Sequence, residues 1–311
     1  METNYQIDPT YGYDLEQLLK IPAPAGPPDF AAFWQRTYEE VRRVPLRIES
    51  RPVASLDDKT DVFEIEFDSL DSVRIGGWIT VPADGNFTRG VVVGHGYGGR
   101  TEPSLQLPGP PAVAIFPCAR GFHRSAHATI PNEAAGHVLH GIEWRETYVH
   151  RGCAADLWSA ASALLELFPS VASTLHYQGG SFGGGIGALA LPWDNRFQRA
   201  FVDVPSFGNH PLRVTLPCTG SGESVRRYYG HHPAVLDVLA YFDAAVAARH
   251  IAIPIFVAAA LSDPAVPPPG QFAVYNALPG PKELFVRRTG HPDTEQDNRE
   301  LEQRLSQWFS G

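Results

Sequence analysis

Three cysteines in 311 residues leave little scope for sulfur chemistry. Cys118, Cys153 and Cys218 are odd in number, far apart and without a C-x-x-C pair, so neither a disulfide framework nor a zinc site is expected. No run approaches the ~18 apolar residues of a membrane span. The opening stretch METNYQIDPTYGYDLEQLL lacks both a basic region and an apolar one. No signal peptide is therefore expected, and the chain reads as a soluble cytoplasmic protein. Positive charge is scarce too. Lys and Arg number 25 against 34 Asp and Glu, a formal charge of -9 that offers nucleic acid no electrostatic footprint. An acidic surface also does nothing to gather anionic substrates, so a neutral one fits better. Internal repeats and low-complexity segments are missing. Neither glycine-rich stretch, GHGYGGR or GGSFGGG, ends in the G-K-[ST] that would hold phosphate and magnesium.

Apolar residues are plentiful at 43%, and aliphatic runs recur among 29 Gly and 28 Pro, which suggests many turns around a large core. Residues 62–67 and 73–81 alternate as strands and could pair antiparallel at an edge. From 91–93 and 112–116 onward the strands are continuously apolar, as in a buried parallel sheet. Strands at 171–177, 199–204, 253–260 and 284–286 alternate with helices at 147–168, 182–189, 233–249, 272–278 and 293–309. Such alternation implies a mostly parallel central sheet with helices on both faces. A further helix is expected at 30–43, capped by Asp29. One α/β domain over 1–311 is the simplest reading, with an irregular arm at about 1–30 and a polar loop insertion at about 119–141. That insertion carries His123, His127, His137 and His140, which read as surface or lid histidines rather than metal ligands, since no acidic cluster accompanies them.

The most informative stretch is 175–189, LHYQGGSFGGGIGAL. It places G-x-S-x-G between an apolar strand and a small-residue helix, the setting of a nucleophile elbow at Ser181. Gly179 and Gly183 fit because a Cβ at either position would collide in so tight a turn. The helix starting at Phe182 aims its first N–H groups at the serine. The bland alternative is a glycine-rich turn with an incidental serine.

A serine nucleophile needs a base, and the base an orienting carboxylate, in the chain order Ser, Asp or Glu, His of α/β-hydrolases. Asp263 follows the strand 253–260, and His291 follows the last strand. Asp237 and Asp243 fall within an expected helix, Asp293 is too near His291, and Asp203 reads as a loop brace. Of the two oxyanion donors required, Phe182 N–H supplies one. The loop His95-Gly96-Tyr97-Gly98-Gly99 supplies the other, through Tyr97 N–H.

These motifs resemble the acetyl xylan esterase / cephalosporin C deacetylase family. PDFAAFWQRTYEE resembles its D-F-x-x-F-W helix, VRIGGWITVP its V-R-I-x-G-W strand and GHGYGG its H-G-Y-x-G loop. RETYVHRGCAADLWSA is similar to its T-Y-x-x-R helix start. LSDPAVPPPGQFAVYNAL is similar to its acid-bearing segment. The resemblance implies an α/β-hydrolase fold, Ser181 as nucleophile, Asp263 as acid, His291 as base, Tyr97 and Phe182 as oxyanion donors, no cofactor, and a hexameric homo-oligomer. Three motifs depart from the family: R-G-Q reads Arg120-Gly121-Phe122, the glutamine after the nucleophile is Phe182, and H-E reads His291-Pro292. The connection between Arg120 and Tyr148 is also shorter.

The expected activity is hydrolysis of short acyl esters of sugars or other small alcohols. Tyr97, Phe182 and Phe207 would crowd the acyl end, with Phe207 and Pro267 as substrate contacts and no metal. An amidase or peptidase on the same scaffold is the second reading, and a non-catalytic hydrolase-fold binder the third.

Overall fold

The computed structural model describes residues 7–54, 57–291 and 294–310. Among these, nine strands make one sheet in the order β1-β2-β3-β5-β4-β6-β7-β8-β9. They are β1 (Glu49–Val53), β2 (Thr60–Asp68), β3 (Arg74–Pro82), β4 (Arg89–Gly94), β5 (Ala112–Pro117), β6 (Leu175–Gly180), β7 (Phe197–Asp203), β8 (Ile255–Ala260) and β9 (Lys282–Arg287). β1, β2 and β3 pair antiparallel, as does β3 with β5, and every pairing from β5 to β9 is parallel. The parallel body matches the continuously apolar strands, and β2 and β3 pair antiparallel as their alternation implied, but β1, which the sequence did not announce, lies outside them at the edge.

Helices α1 (Leu15–Leu18) and α2 (Phe30–Arg42) precede the sheet. Within it come α3 (Ala134–His137), α4 (Val149–Leu167), α5 (Phe182–Ala190), α6 (His210–Arg213), α7 (Gly222–His231), α8 (Val235–Leu239), α9 (Ala244–Ala248) and α10 (Pro268–Ala277), and α11 (Glu295–Ser310) follows it. Side chains alternate across a strand, so one strand feeds both faces. On β8, Ile255, Val257 and Ala259 enter the large core beside Ala154, Ile186 and Val246 of α4, α5 and α9. Phe256 and Ala258 point the other way, against Leu301, Leu305 and Phe309. Those three residues, four apart, form a single stripe on α11.

Three expectations need correction. The helix at 233–249 is broken at Asp243, whose backbone leaves the helical region (φ -84, ψ 113) while its carboxylate accepts from the N–H groups of Ala245 and Val246. Asp29 does occupy the N-cap position of α2, but it makes no side-chain cap bond. Its carboxylate instead accepts from Tyr241 Oη and Arg145 Nη1. The polar loop at 119–141 is partly regular and packed. It carries a 3-10 turn (His123–Ser125) and α3, and it buries Arg120, Phe122, Ser125, His137 and Val138. His123 and His127 are exposed as expected, whereas His137 is fully buried. Asp293 lies outside the described residues. No helix among the described residues is long and apolar enough to cross a membrane.

From β4 the chain moves to β5 on one side, then crosses to β6 on the other. Loops leaving β4 and β6 thus diverge at a topological switch point, where parallel sheets open a crevice for ligands.

Candidate active site

Ser181 follows β6 with φ 52 and ψ -114, a conformation that L-residues rarely adopt. Three backbone bonds hold it: Ser181 N–H to the Asp203 carbonyl (2.8 Å), and the N–H groups of Gly185 (3.0 Å) and Ser206 (3.1 Å) to its own carbonyl. The flanking glycines are steric requirements. A Cβ on Gly179 would stand 2.8 Å from the Gly183 backbone, and one on Gly183 would stand 2.8 Å from Gly94 C and 2.9 Å from His95 O. Bare backbone lets α5 pass so close to the end of β4 that Gly96 lies against the Ser181 side chain.

The loop after β4 is fixed by its histidine. His95 Nε2 accepts from Ala119 N–H (2.9 Å), so Nδ1 carries the proton and donates to Gly96 O (2.7 Å). Burial pushes this ring's pKa down to about 4, which keeps it neutral in that role. Neither Tyr97 N–H nor Phe182 N–H has a hydrogen-bond partner among the described residues. The Tyr97 and Phe182 rings stack with centroids 4.2 Å apart.

On the opposite rim, Asp263 is fully buried in the turn after β8. Its Oδ1 accepts from Ala265 N–H (2.9 Å) and Val266 N–H (3.0 Å). Its Oδ2 accepts from Gln271 Nε2 (3.0 Å) and meets His291 Nδ1 at 2.9 Å. The Asp263 N–H donates to Pro9 O (2.8 Å), so the N-terminal arm is part of this turn's support. Gly290 completes it, since a Cβ there would sit 2.0 Å from Asp263 Oδ2. Asp203, read as a loop brace, instead ties two strand ends: its Oδ2 accepts from Arg287 Nη1 (2.7 Å), joining β7 to β9.

Both rims meet in an open pocket of about 340 Å³ lined by Gly96, Gly180, Ser181, Asp203, Val204, Gly290 and His291. A serine on one rim and an imidazole backed by a buried carboxylate on the other, with two available N–H groups on the neighbouring turns, suit acyl transfer. Among the described residues, no group of three or more His, Cys, Asp or Glu side chains could hold a metal ion.

Phe207 and Pro267 do not line this pocket. Phe207 is buried behind the first aromatic layer, edge-on to Phe182 (6.0 Å) and Tyr97 (6.3 Å). Pro267 is buried at the N-terminus of α10. The Tyr97 and Phe182 rings, expected beside Phe207 at the acyl end, do not line the pocket either.

Sequence reasoning missed the support of Tyr97. Its Oη lies between His137 Nδ1 (3.2 Å) and His150 Nε2 (3.0 Å). His137 Nε2 must donate to the Arg120 carbonyl (3.0 Å), and burial holds its pKa near 4, leaving Nδ1 free to accept from Tyr97. Tyr97 Oη then accepts from His150 Nε2–H; burial depresses that histidine as well. These partners are 40 and 53 residues from Tyr97, and no local motif announces them.

Residues 12–310 match a family described as acetyl xylan esterase (AXE1). A curated relative, the acetyl esterase Axe7A of Xylanibacter ruminicola, is 24% identical over 92% of this chain and 67% of its own length. Among solved structures, acetyl xylan esterase from Paenibacillus sp. R4 superposes with a TM-score of 0.80 at 24% identity, covering 95% of this chain and 99% of that one. Acetyl xylan esterase 1 from Thermoanaerobacterium sp. gives 0.83 at 18% identity, with 96% and 99% coverage. The acylaminoacyl peptidase of Pyrococcus horikoshii gives 0.59 at 11% identity, over 91% of this chain and 43% of that one. The fold is that of the α/β-hydrolases.

Proposed function

Because the chain belongs to the acetyl xylan esterase family, we propose that it is a serine esterase that removes acetyl and other short acyl groups from oxygen esters of sugars or other small alcohols. The observation that carries this reading is the His291–Asp263 contact at 2.9 Å in a pocket whose wall also holds Ser181 at its strained turn. His291 takes the proton from Ser181 Oγ as the oxygen attacks the acyl carbonyl. Asp263 fixes the imidazole tautomer and stabilises the imidazolium. The N–H groups of Tyr97 and Phe182 receive the oxyanion, and losing one such donor typically costs about 2.7–4 kcal/mol. The alcohol departs with the proton from His291. Water then attacks the acyl-enzyme, with His291 again the base, and no cofactor takes part.

Xylan fragments and cephalosporin-like acetyl esters are both candidate substrates. The hexamer implied by the resemblance and the cytoplasmic location expected from the sequence belong to the same proposal. The test is a series of p-nitrophenyl esters of graded length beside acetylated xylo-oligosaccharides, with matched anilides and with Ser181→Ala as control. Acetyl and propionyl esters should lead, and the variant should fall by on the order of 10⁴–10⁶-fold. Equal rates on octanoyl esters would remove the short-acyl claim. A wild-type protein that an organophosphonate fails to label would remove the serine mechanism.

A further inference from the structure

Gln271 sits in α10, eight residues beyond the acid, and is fully buried. Every polar group of its side chain is engaged. Oε1 accepts from Ala260 N–H at the end of β8 (2.8 Å), while Nε2 donates to the Val266 carbonyl (2.6 Å) and to Asp263 Oδ2 (3.0 Å). Two of the three bonds span the turn that carries Asp263, and the third lands on the carboxylate oxygen that meets His291 Nδ1. Oδ1 is already occupied by two backbone donors, so the carboxylate has one orientation that satisfies all four contacts.

From this we propose that Gln271 is a positioning residue for the acid–base pair: its amide holds Asp263 Oδ2 toward His291 and shares that oxygen's charge with the imidazole. The claim rests on the serine-esterase reading above. A hydrogen bond to an anion withdraws charge from the oxygen that accepts it. Removing the donor leaves Oδ2 a stronger acceptor, so the protonated imidazole is favoured and the free base appears only at higher pH. A purely structural glutamine would change stability and leave that titration where it was.

The experiment compares wild type with Gln271→Met, which keeps the length of the side chain without its amide, by the pH profile of kcat/KM on p-nitrophenyl acetate. The expected result is a loss of roughly 10–100-fold at the acid end, the equivalent of one hydrogen bond to a charged group, with the acid limb moved to higher pH and a smaller loss on the alkaline plateau. Gln271→Glu is the second variant. Flanked by Asp263 Oδ2 and Val266 O, its carboxyl keeps one proton, whose donation to Oδ2 replaces one of the amide's two bonds, so the acid limb moves part of the way back toward wild type. An independent readout is the NMR titration of the His291 ring in Ser181→Ala, with and without Gln271→Met. That titration reports on the pair even if no ester is turned over, and so separates failure of this inference from failure of the esterase reading. An acid limb and a His291 titration that coincide in wild type and both Gln271 variants would overturn the proposal.

Discussion

The two rims of the pocket are built by different means. On the nucleophile side, backbone meets backbone: beside the hydrogen bonds of Ser181 and His95, Gly179 and Gly183 let a helix and a strand end approach within distances that no Cβ permits. On the acid side, Asp263 is placed by five hydrogen bonds, four on its carboxylate and one from its N–H to the arm. A steric fit has no partial form, whereas a hydrogen-bonded fit can lose one member and adjust. The nucleophile rim should therefore fail abruptly under substitution and the acid rim by degrees.

Gly183→Ala is the strongest test. Its methyl would meet the backbone of Gly94 and His95, which cannot rotate away, so the β4 loop must shift together with its donor. Activity should fall by about 10²–10³-fold, the scale of a lost oxyanion donor, and stability by about 1–3 kcal/mol, read from kcat/KM and urea melts. Gly290→Ala probes the acid rim, where the methyl would strike Asp263 Oδ2. A displaced carboxylate should lower kcat by on the order of 10²-fold, with a smaller loss of stability than Gly183→Ala, because a side chain rather than backbone must give way. If Gly290→Ala proved as destabilising as Gly183→Ala, the contrast between the rims would collapse.

The third test uses pH. His95 and His137, on the nucleophile rim, and His210 behind it are held neutral by burial, with pKa values near 4, 4 and 3. Their unfolded forms titrate near 6.5. Above that value neither state binds the proton and no penalty exists. As pH falls below it the unfolded chain gains protons that the folded one refuses, so stability is lost. The loss is about 0.7 kcal/mol per histidine between pH 7 and pH 6. Asp243 offsets part of this, because burial raises its pKa to about 6 and the folded state takes up its proton first on acidification. Thermal melts should fall steadily from pH 7 to pH 5; a flat profile would contradict the neutral assignment. The mildest expectation concerns His137→Phe, which removes one partner of Tyr97 Oη. A threefold to tenfold loss of kcat is expected, about the net value of one hydrogen bond, with the KM for acetyl esters nearly unchanged.

This division also explains what the sequence made legible. Steric demands are local and leave glycines at fixed spacing, so the elbow at Ser181 and the loop at His95 could be read directly, as could the strand ends that carry Asp263 and His291. Hydrogen-bond demands pair residues far apart and leave no spacing. Gln271 looks like one more residue of an apolar helix, and His137 and His150 look like loop and helix polar residues until the fold brings both to Tyr97. Aromatic residues suit acyl groups, but composition carries no information about which rings reach the pocket, and Tyr97, Phe182 and Phe207 all stand outside its lining. Asp243 was placed inside a helix because the apolar period runs through it. Its carboxylate binds four backbone N–H groups, those of Ala245 and Val246 and those of Asn209 and His210, and so ends one helix while capping the next.

The bond from Asp263 N–H to Pro9 O joins two parts of the chain some 250 residues apart. Nearby, Tyr11 Oη fastens the same arm to the Pro217 carbonyl. A disturbance of the arm at Pro9 or Tyr11 would thus be felt at the Asp263 turn before the globule itself loosened. Preparations that differ only between residues 7 and 12 should differ in turnover while melting alike.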